Sequence, residues 1–589
     1  MTEPTPPLTP FPLGALLERI TREWNSRNRI FDMPTARFFD VSAGPDLSAD
    51  FMGRTAATPI GPAAGPHSQL AQNIVLSWLG GARIFELKTV QILDQLEIKR
   101  PCIDMETVGY NIEWSQELRI HESLDEYVKA WMIIEILRDW EELTPLIGAD
   151  PGPHVFDISV GYDLAGISDP TVAEFIDGLT DATQTIERLR PEIVEPFQAW
   201  SRHPFPTKIA DTATLSTFHG CPPNEIEAIT KHLMTRHDLD VVVKLNPTLL
   251  GLERVAQIVN DELGYNEVVL RPEDFDADLQ MDRGLELIDE LERFAVDNGR
   301  RFGIKLTNTL VVQNHRTFLP DDPMYLSGPP LHVVSMTLLE TLNAALPGRL
   351  AIDGQPGPIQ VSFSAGINKE NFADSAGLGL TPVTVCSDLL KPGGYGRIKP
   401  MLKALQKEII DTEAPDLAAL QAARAQQPNG AIASYVATLH DPEQNGAYTR
   451  SGTSKLPRQV DHVLEMWGCV ACNFCVTVCP NDAFFKLPTI EGLQMEGRQQ
   501  YFLLAELCNE CGNCLTFCPE DGDPALVKPR LFFNPDRFSA AEGQAFLLAG
   551  DDGLAITAAA GFEAEVANLT AALGQSEGLP VRGVYQDQS

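Results

Sequence analysis

The sequence predicts an α/β protein, a (β/α)8 barrel followed by a small cysteine-rich module. Three observations carry that prediction. Short apolar runs that end in small or polar residues alternate with amphipathic helical stretches over about 400 residues. Eight of the eleven cysteines fall between positions 469 and 518. The chain has 589 residues, 44% hydrophobic and 21% charged, which is enough for one large core and further modules and is too apolar for wholesale disorder.

Taken in order, residues 1–50 are expected to form a helical arm, "LGALLERITREW", against the barrel, which is expected over 51–415. Its candidate strands are "TAATPIGPAAG", "ARIFELKT", "HVFDISVGY", "ATLSTFHG", "VVVKLNP", "EVVLRP", "FGIKLTNT", "IQVSFSAGI" and "TPVTVCSD". "NEIEAITKHLMTRH" and "MDRGLELIDELERFAVDNG" supply crossover helices. A TIM barrel takes eight strands, so one of the nine is surplus, and "EVVLRP" at 267–272 is the expected extra because its end carries no functional residue. Residues 416–460 read as a linker that opens on the helix-like "APDLAALQAARAQQ", 461–530 as the cysteine module and 531–589 as an appendage.

Barrel chemistry sits at strand C-terminal ends. Lys88 closes "FELKT" and Lys244 closes "VVVKLNP", and a lysine ending an apolar strand needs an anionic or strongly accepting partner. Ser364, Ala365 and Gly366, with Cys386 and Ser387, follow the last two strands, where small residues let backbone N–H groups approach a phosphate. Together with "TNT" at 307–309 they suggest a phosphate-bearing cofactor across the mouth. Cys221, in "STFHGCPPNE", is either a buried packing thiol or the reacting group. Pro223 and Asn224 look like a helix start, which is expected to lower its pKa. Cys102 has no chemistry around it and reads as packing.

The cysteines form two runs, "CVACNFCVTVCP" and "CNECGNCLTFCP", each C-x2-C-x2-C-x3-C-P. This bacterial ferredoxin spacing places three thiolates on one cube and sends the fourth to the other. One 4Fe-4S cluster is expected on Cys469, Cys472, Cys475 and Cys518, the second on Cys508, Cys511, Cys514 and Cys479. Zinc knuckles, the competing reading, need no crossing Cys-Pro. Two clusters imply an electron wire.

A formal net charge of −36 argues against nucleic-acid or membrane-surface partners. The N-terminus lacks a basic region followed by an apolar run, and no stretch reaches the roughly 18 apolar residues of a membrane span. A cytoplasmic location is the expectation.

Between about 50 and 410 the order of motifs resembles the FMN domain of dihydroorotate and dihydropyrimidine dehydrogenases: "TPIGPAAGP", "KT", "NIE" at 111, "GCP", "VKLNP", "TNT", "SAGI" and "VCS". Longer stretches, "GPAAGPH", "LAQNIV", "ELKTVQILD", "HGCPP", "VKLNPTLLG", "KLTNTL", "DLLKPGGY" and "CNECGNC", are similar to the YgfK-type flavoprotein family, which also carries the name selenate reductase. The resemblance implies FMN contacts from Lys88, Thr89, Lys244, Gly328, Ser364, Ala365, Gly366, Cys386 and Ser387, with Ala64 and Gly65 under the ring. It implies that Asn111, Asn308 and Thr309 bind a planar cyclic amide, and that Cys221 is the general acid in reduction of a C=C bond. Electrons would run from the two clusters through FMN to a small heterocycle of the pyrimidine or oxopurine class.

Two departures from that pattern matter. Phe218 stands where the dehydrogenases carry asparagine, so the ring that is bound is expected to differ; His67 and His219 offer polar contacts or a proton instead. No G-x-G-x-x-G lies between a strand and a helix, so a separate FAD- and NAD(P)H-binding reductase subunit, or a ferredoxin, is the expected electron donor, in a hetero- or homo-oligomer. A second reading stays open, in which the chain is an electron-transfer or scaffold subunit whose barrel only relays electrons.

Overall fold

The computed structural model describes residues 8–94, 96–112, 115–217, 219–427, 430–493, 495–550, 553–575 and 578–581. Eight parallel strands form one sheet: β1 (Ile60–Pro62), β2 (Ile84–Glu86), β3 (Val155–Val160), β4 (Thr212–Leu215), β5 (Asp240–Leu245), β6 (Phe302–Leu306), β7 (Ile359–Phe363) and β8 (Val383–Val385). Hydrogen bonding runs from β2 through β3 to β8 and on to β1. The amide of Arg83 donates to the Ile60 carbonyl at 3.0 Å and closes the ring. Crossover helices such as Ala71–Gly80, Ile120–Arg138, Pro223–Arg236, Met281–Asp297 and Pro329–Ala345 alternate with the strands. The apolar strand runs are buried on both faces, as parallel strands covered by helices require.

The eight strands are the eight expected. "EVVLRP" stays outside the barrel, where Leu270 makes one isolated antiparallel bridge to Val312. That bridge belongs to a cap over the mouth, a four-stranded antiparallel sheet of Leu310–Val312, Met324–Leu326, Tyr110–Asn111 and Ile103–Asp104 in that order.

The stretch expected as a linker is instead folded against the barrel. Helices Leu417–Arg424 and Ala431–His440 bury Leu417, Leu420, Ile432, Val436 and Leu439, whose helical spacing makes an apolar stripe that must be covered. The Tyr435 hydroxyl lies 2.9 Å from His332 Nε2, and the Arg450 amide donates to the Leu263 carbonyl at 2.8 Å.

In the cysteine module β9 (Phe484–Pro488) and β10 (Gln499–Leu504) pair antiparallel. The stretch after 530 continues that sheet through β11 (Arg530–Phe532), β12 (Ala545–Ala549) and β13 (Ala555–Ala558). The N-terminal helix Leu13–Arg27 touches both bodies. The Leu13 amide donates to Glu192 at 2.7 Å on the barrel, while the Thr9 amide donates to the Glu506 carbonyl at 2.9 Å on the module. Arg19, fully buried, pairs with Glu23 at 2.7 Å and reaches Asp482 of the module at 2.8 Å.

Removing the cation from such a network strands two buried carboxylates, which costs about 3–5 kcal/mol. Arg19→Met is therefore expected to lower the urea midpoint of the folded chain, followed by tryptophan fluorescence. An unchanged midpoint would show that the arm does not clamp the two bodies.

Candidate functional site

At the C-terminal end of the barrel lies a cavity of about 350 Å³ to which all eight strand ends contribute. Ala64 and Gly65 follow β1, Thr89 follows β2, Gly161 follows β3 and Ser216 follows β4. Lys244 lies in β5, while Asn308 and Thr309 follow β6, Ser364 to Gly366 follow β7, and Cys386 and Ser387 follow β8. The cap sheet adds Ile103, Tyr110, Asn111 and Tyr325 from above. Twelve of the fifteen residues expected to hold cofactor or substrate or to react line this one space.

Three do not. Lys88 is buried behind the wall, and its charge, with that of Lys244, acts on the Cys386 thiol, which burial nevertheless pushes up to about 11. Gly328 backs the wall at φ +80, with the carbonyl of Val108 where a Cβ would sit at 3.2 Å. Cys221 is buried off the wall, with its sulfur 4.0 Å from the Pro222 carbonyl. The helix does start at Pro223, but the thiol is not lowered as expected. Burial, with the carboxylates of Glu225, Asp163 and Asp278 nearby, pushes it up to about 11, because desolvation of a thiolate outweighs one helix end. Phe218, one of the two departures, lies outside the described residues. His67 is buried edge-on to Tyr395, and burial pushes its pKa down to about 3, so the ring is neutral.

The amides expected to read a ligand are fixed before any arrives. Asn308 donates to Asn246 Oδ1 at 2.7 Å and accepts from Ser216 at 3.2 Å. Asn111 pairs opposite Tyr325 in the cap sheet and donates to the Ile112 carbonyl at 2.5 Å. Thr89 and Ser159 hydroxyls are 2.7 Å apart, and Ser387 donates to Ser327 at 2.9 Å.

Beneath the cavity the barrel interior holds a buried charge cluster that the sequence reading missed. Lys305 pairs with Glu86 at 3.0 Å and donates to Ser362 and Thr384, while Lys244 stands 3.8 Å from the same carboxylate. Burial would raise Glu86, but the two lysines outweigh it and hold it below its ordinary value. Lys305 interrupts the apolar strand "FGIKL" and, like Lys88 and Lys244, needs an anionic or strongly accepting partner there. Asp157 accepts from Thr212 and Thr214 at 2.6 Å each; burial, added to by Glu86, pushes it up to about 7 against those two bonds.

The cysteine loops share one backbone design. Ala471 and Asn473 flank Cys472 at φ +52 and +68, and Glu510 and Gly512 flank Cys511 at φ +52 and +88. Cys475 has Cys469, Cys472 and Cys518 as its thiol neighbours, and Cys514 has Cys508, Cys511 and Cys479. Cys469, Cys472, Cys475 and Cys518 line one small pocket. Among the described residues no three His, Cys, Asp or Glu groups close on the single point that one ion needs; a cube takes its thiolates at separate corners. The Glu510 amide donates to Cys508 Sγ and the Ala483 amide to Cys479 Sγ, each at 3.4 Å.

The two halves meet at the cavity. The Cys511 carbonyl accepts from the amides of Cys102 and Ile103 at 3.1 and 3.0 Å, and Ile103 lines the cavity. Asn513 donates to the carbonyl of Leu390, another wall residue, at 2.8 Å. Cys511 is buried in this joint, whereas Cys472 is exposed on the outside of the module.

A barrel with its cavity at the strand ends is joined here to a cysteine domain of ferredoxin type. A family profile described as "Oxidoreductase YgfK, N-terminal TIM-barrel domain" matches residues 31–433, and one described as "4Fe-4S dicluster domain" matches 468–521. The chain belongs to the YgfK oxidoreductase family. Oxidoreductases named YgfK from Escherichia coli K12 and O157:H7 are each 40% identical to it over 419 residues, 68% of this chain. The chain spans 39% of the length of those relatives. Among solved structures, ligand-free DHODH from Eimeria tenella covers 68% of this chain and 96% of its own at 14% identity, with a TM-score of 0.39, a likeness too loose to carry a functional reading. Among the described residues no helix is long and apolar enough to cross a membrane.

One pH dependence follows from Asp157. A carboxyl whose folded pKa, about 7, lies above its ordinary 3.8 binds a proton on folding between those values. The contribution of Asp157 to stability is therefore fullest below about 4, falls as pH rises to about 7 and is level beyond. Asp157→Asn is expected to flatten that decline, measured as urea midpoints at pH 5 and 8; a decline of the same size would show that Asp157 is not its source.

Proposed function

We propose that the chain is an iron-sulfur flavoprotein reductase, in which two 4Fe-4S clusters feed electrons to FMN in the barrel cavity for reduction of a C=C or C=N bond in a cyclic amide of the pyrimidine or oxopurine class. The observation that carries the reading is the joint itself: a cysteine of the buried cluster loop is hydrogen-bonded to a residue of the cavity wall. A substrate cavity and an electron-carrying loop one residue layer apart have little use except to exchange electrons.

The residues present fit such a cofactor. Gly366 sits at φ +57, and a Cβ there would lie 2.3 Å from the Gly328 carbonyl, so only glycine keeps the loop open beside Ser364, Ala365, Cys386 and Ser387. That arrangement of small residues after β7 and β8 suits a phosphate. Ala64 and Gly65 leave the floor flat, and Thr89 and Lys244 stand at its side, with Lys88 adding positive charge from behind the wall. Lys244 would hold the negative charge that a reduced ring gathers. FMN, when bound, supplies hydride transfer. Asn111, Asn308 and Thr309 would then orient a planar amide by hydrogen bonds.

On the cluster side, we assign Cys479, Cys508, Cys511 and Cys514 to the inner cube and Cys469, Cys472, Cys475 and Cys518 to the outer one. The outer cube would receive electrons from a separate reductase subunit or a ferredoxin, since Cys472 is exposed beside exposed Val470. The relay reading has no use for a cavity lined by Asn111, Asn308 and Thr309.

Three experiments test the assignment. Cys479→Ser should remove the inner cluster and Cys518→Ser the outer, each halving bound iron and each abolishing a different electron paramagnetic resonance signal; loss of the same signal in both would refute the crossed ligation. The purified holoenzyme alone should oxidise NAD(P)H negligibly, and rapid turnover would remove the need for a partner. Photoreduced, anaerobic holoenzyme should be reoxidised by uracil or by xanthine; if neither works, the substrate class is wrong.

A further inference from the structure

On the rim of the cavity stands an acid-base pair that the resemblance to the dehydrogenases does not assign. His219, on the loop after β4, lines the cavity together with Ser216 and Thr217. Its Nδ1 lies 2.7 Å from Asp278 Oδ2, a residue from the crossover between β5 and β6. Asp278 is buried, and its carboxylate also accepts from the Gly220 amide at 2.5 Å, Asn246 Nδ2 at 3.1 Å and Thr248 Oγ1 at 2.6 Å. Burial alone would raise Asp278, but the bonds from His219, Thr248 and Gly220 outweigh it and hold the acid below its ordinary value. An ionised carboxylate only accepts, so Nδ1 carries the hydrogen and the imidazole presents Nε2 as its exchangeable nitrogen. No described residue is hydrogen-bonded to Nε2.

The pair is also tied to the amide expected to bind substrate. Asn246 donates to Asp278 and accepts from Asn308 Nδ2 at 2.7 Å, while Ser216, on the same loop as His219, donates to Asn308. The ring lies nearly parallel to Tyr325 of the cap, 5.9 Å between centroids and 21° between planes. His219, Asp278, Asn246, Asn308 and Ser216 thus form one connected frame around one side of the cavity. A histidine that merely filled space would not need a buried carboxylate with three further donors behind it.

We propose that His219, positioned by Asp278, is the residue that gives the substrate its proton, in place of the Cys221 thiol. The proposal rests on the flavin reading above. In the step, one atom of the substrate double bond accepts a hydride, two electrons and a proton, from the reduced flavin. The other atom takes the proton on His219 Nε2, the π pair forming the new bond to hydrogen. The imidazole is left neutral, still donating from Nδ1 to Asp278, and regains its proton from solvent. Cys221 is poorly placed for this step, being off the cavity wall with its thiol raised.

Two measurements on the holoenzyme test the proposal. The first needs no substrate: carbethoxylation by diethylpyrocarbonate, mapped by mass spectrometry across pH. The titratable groups around His219 are Asp278, Tyr325 and, along its own loop, Cys221, with Glu225 and Asp163 acting on that thiol. His219 is expected to react readily at Nε2, and Asp278→Asn to change its rate of modification about threefold or more across the profile, since the carboxylate holds Nδ1–H and leaves Nε2 to the reagent. A ring that stays unmodified, or a profile that Asp278→Asn leaves in place, overturns the proposal.

The second is reoxidation of the photoreduced enzyme by whichever of uracil or xanthine is active. His219→Gln should slow it about 100-fold or more, the usual contribution of a general acid. Binding of the same probe to the oxidised enzyme, read from the flavin absorbance change, should stay within about threefold, and Cys221→Ala should leave the rate within about threefold of the unsubstituted enzyme. If Cys221→Ala loses the rate and His219→Gln keeps it, the proposal is overturned. If neither probe reoxidises the unsubstituted enzyme, the substrate class fails, and the carbethoxylation profile decides for or against His219.

Discussion

The carbonyl of Cys511, accepting from two barrel amides, is the joint on which the rest of the structure depends. A buried carbonyl with two donors cannot slide without leaving buried polar groups unpaired. Around it the contacts are of the same kind. Arg100 pairs with Glu117, Asn509 donates to Glu117, and the Pro480 carbonyl accepts from Asn73 at 2.8 Å and Tyr395 at 2.6 Å. An apolar interface of equal area would hold the two bodies together but tolerate sliding. Directional bonds fix the register, so one cysteine loop sits against the cavity wall and the other faces outward.

That register constrains the barrel in turn. The cap sheet that roofs the cavity supplies Ile103 to the joint and Tyr110, Asn111 and Tyr325 to the cavity. The joint and the roof therefore share one strand, Ile103–Asp104. Below the cavity, Lys305, Lys244 and Glu86 place a compensated charge layer inside the barrel, where apolar side chains more often fill the space. Such a layer persists because the two ammonium groups and the carboxylate compensate one another's burial.

Much of this was legible in the residues. The eight strands showed because an apolar run buried on both faces stays apolar along its whole length, and "EVVLRP" betrayed itself by lacking a functional end. The cysteine spacing was legible because a cube demands thiolates at short fixed intervals on one turn. The strand ends were legible because a barrel always presents them on one face, so Ala64, Lys244, Asn308 and Gly366 converge wherever their strands close. Cys221 was harder. A helix start beside a thiol reads as acidifying in sequence, yet its burial, a property of everything packed around it, dominates. Asp278 gave no local sign, since its role comes from His219, Asn246 and Thr248, which lie 30 to 59 positions away. The stretch 416–460 looked like a linker because polar residues and glycines separate two short apolar stripes whose partner surface lies on the barrel.

By itself the sequence determined the parts, a barrel with its chemistry at strand ends and two cysteine loops of ferredoxin spacing, because periodicity and spacing are set by backbone geometry over a few residues; most of the residues that face the cavity were named by the resemblance to known flavoproteins. Only the tertiary structure decided which loop of the cysteine module meets the cavity, which thiol is withdrawn from it, and which histidine is backed by a carboxylate. Those depend on burial and on hydrogen bonds between segments far apart in the chain, quantities that no local pattern encodes.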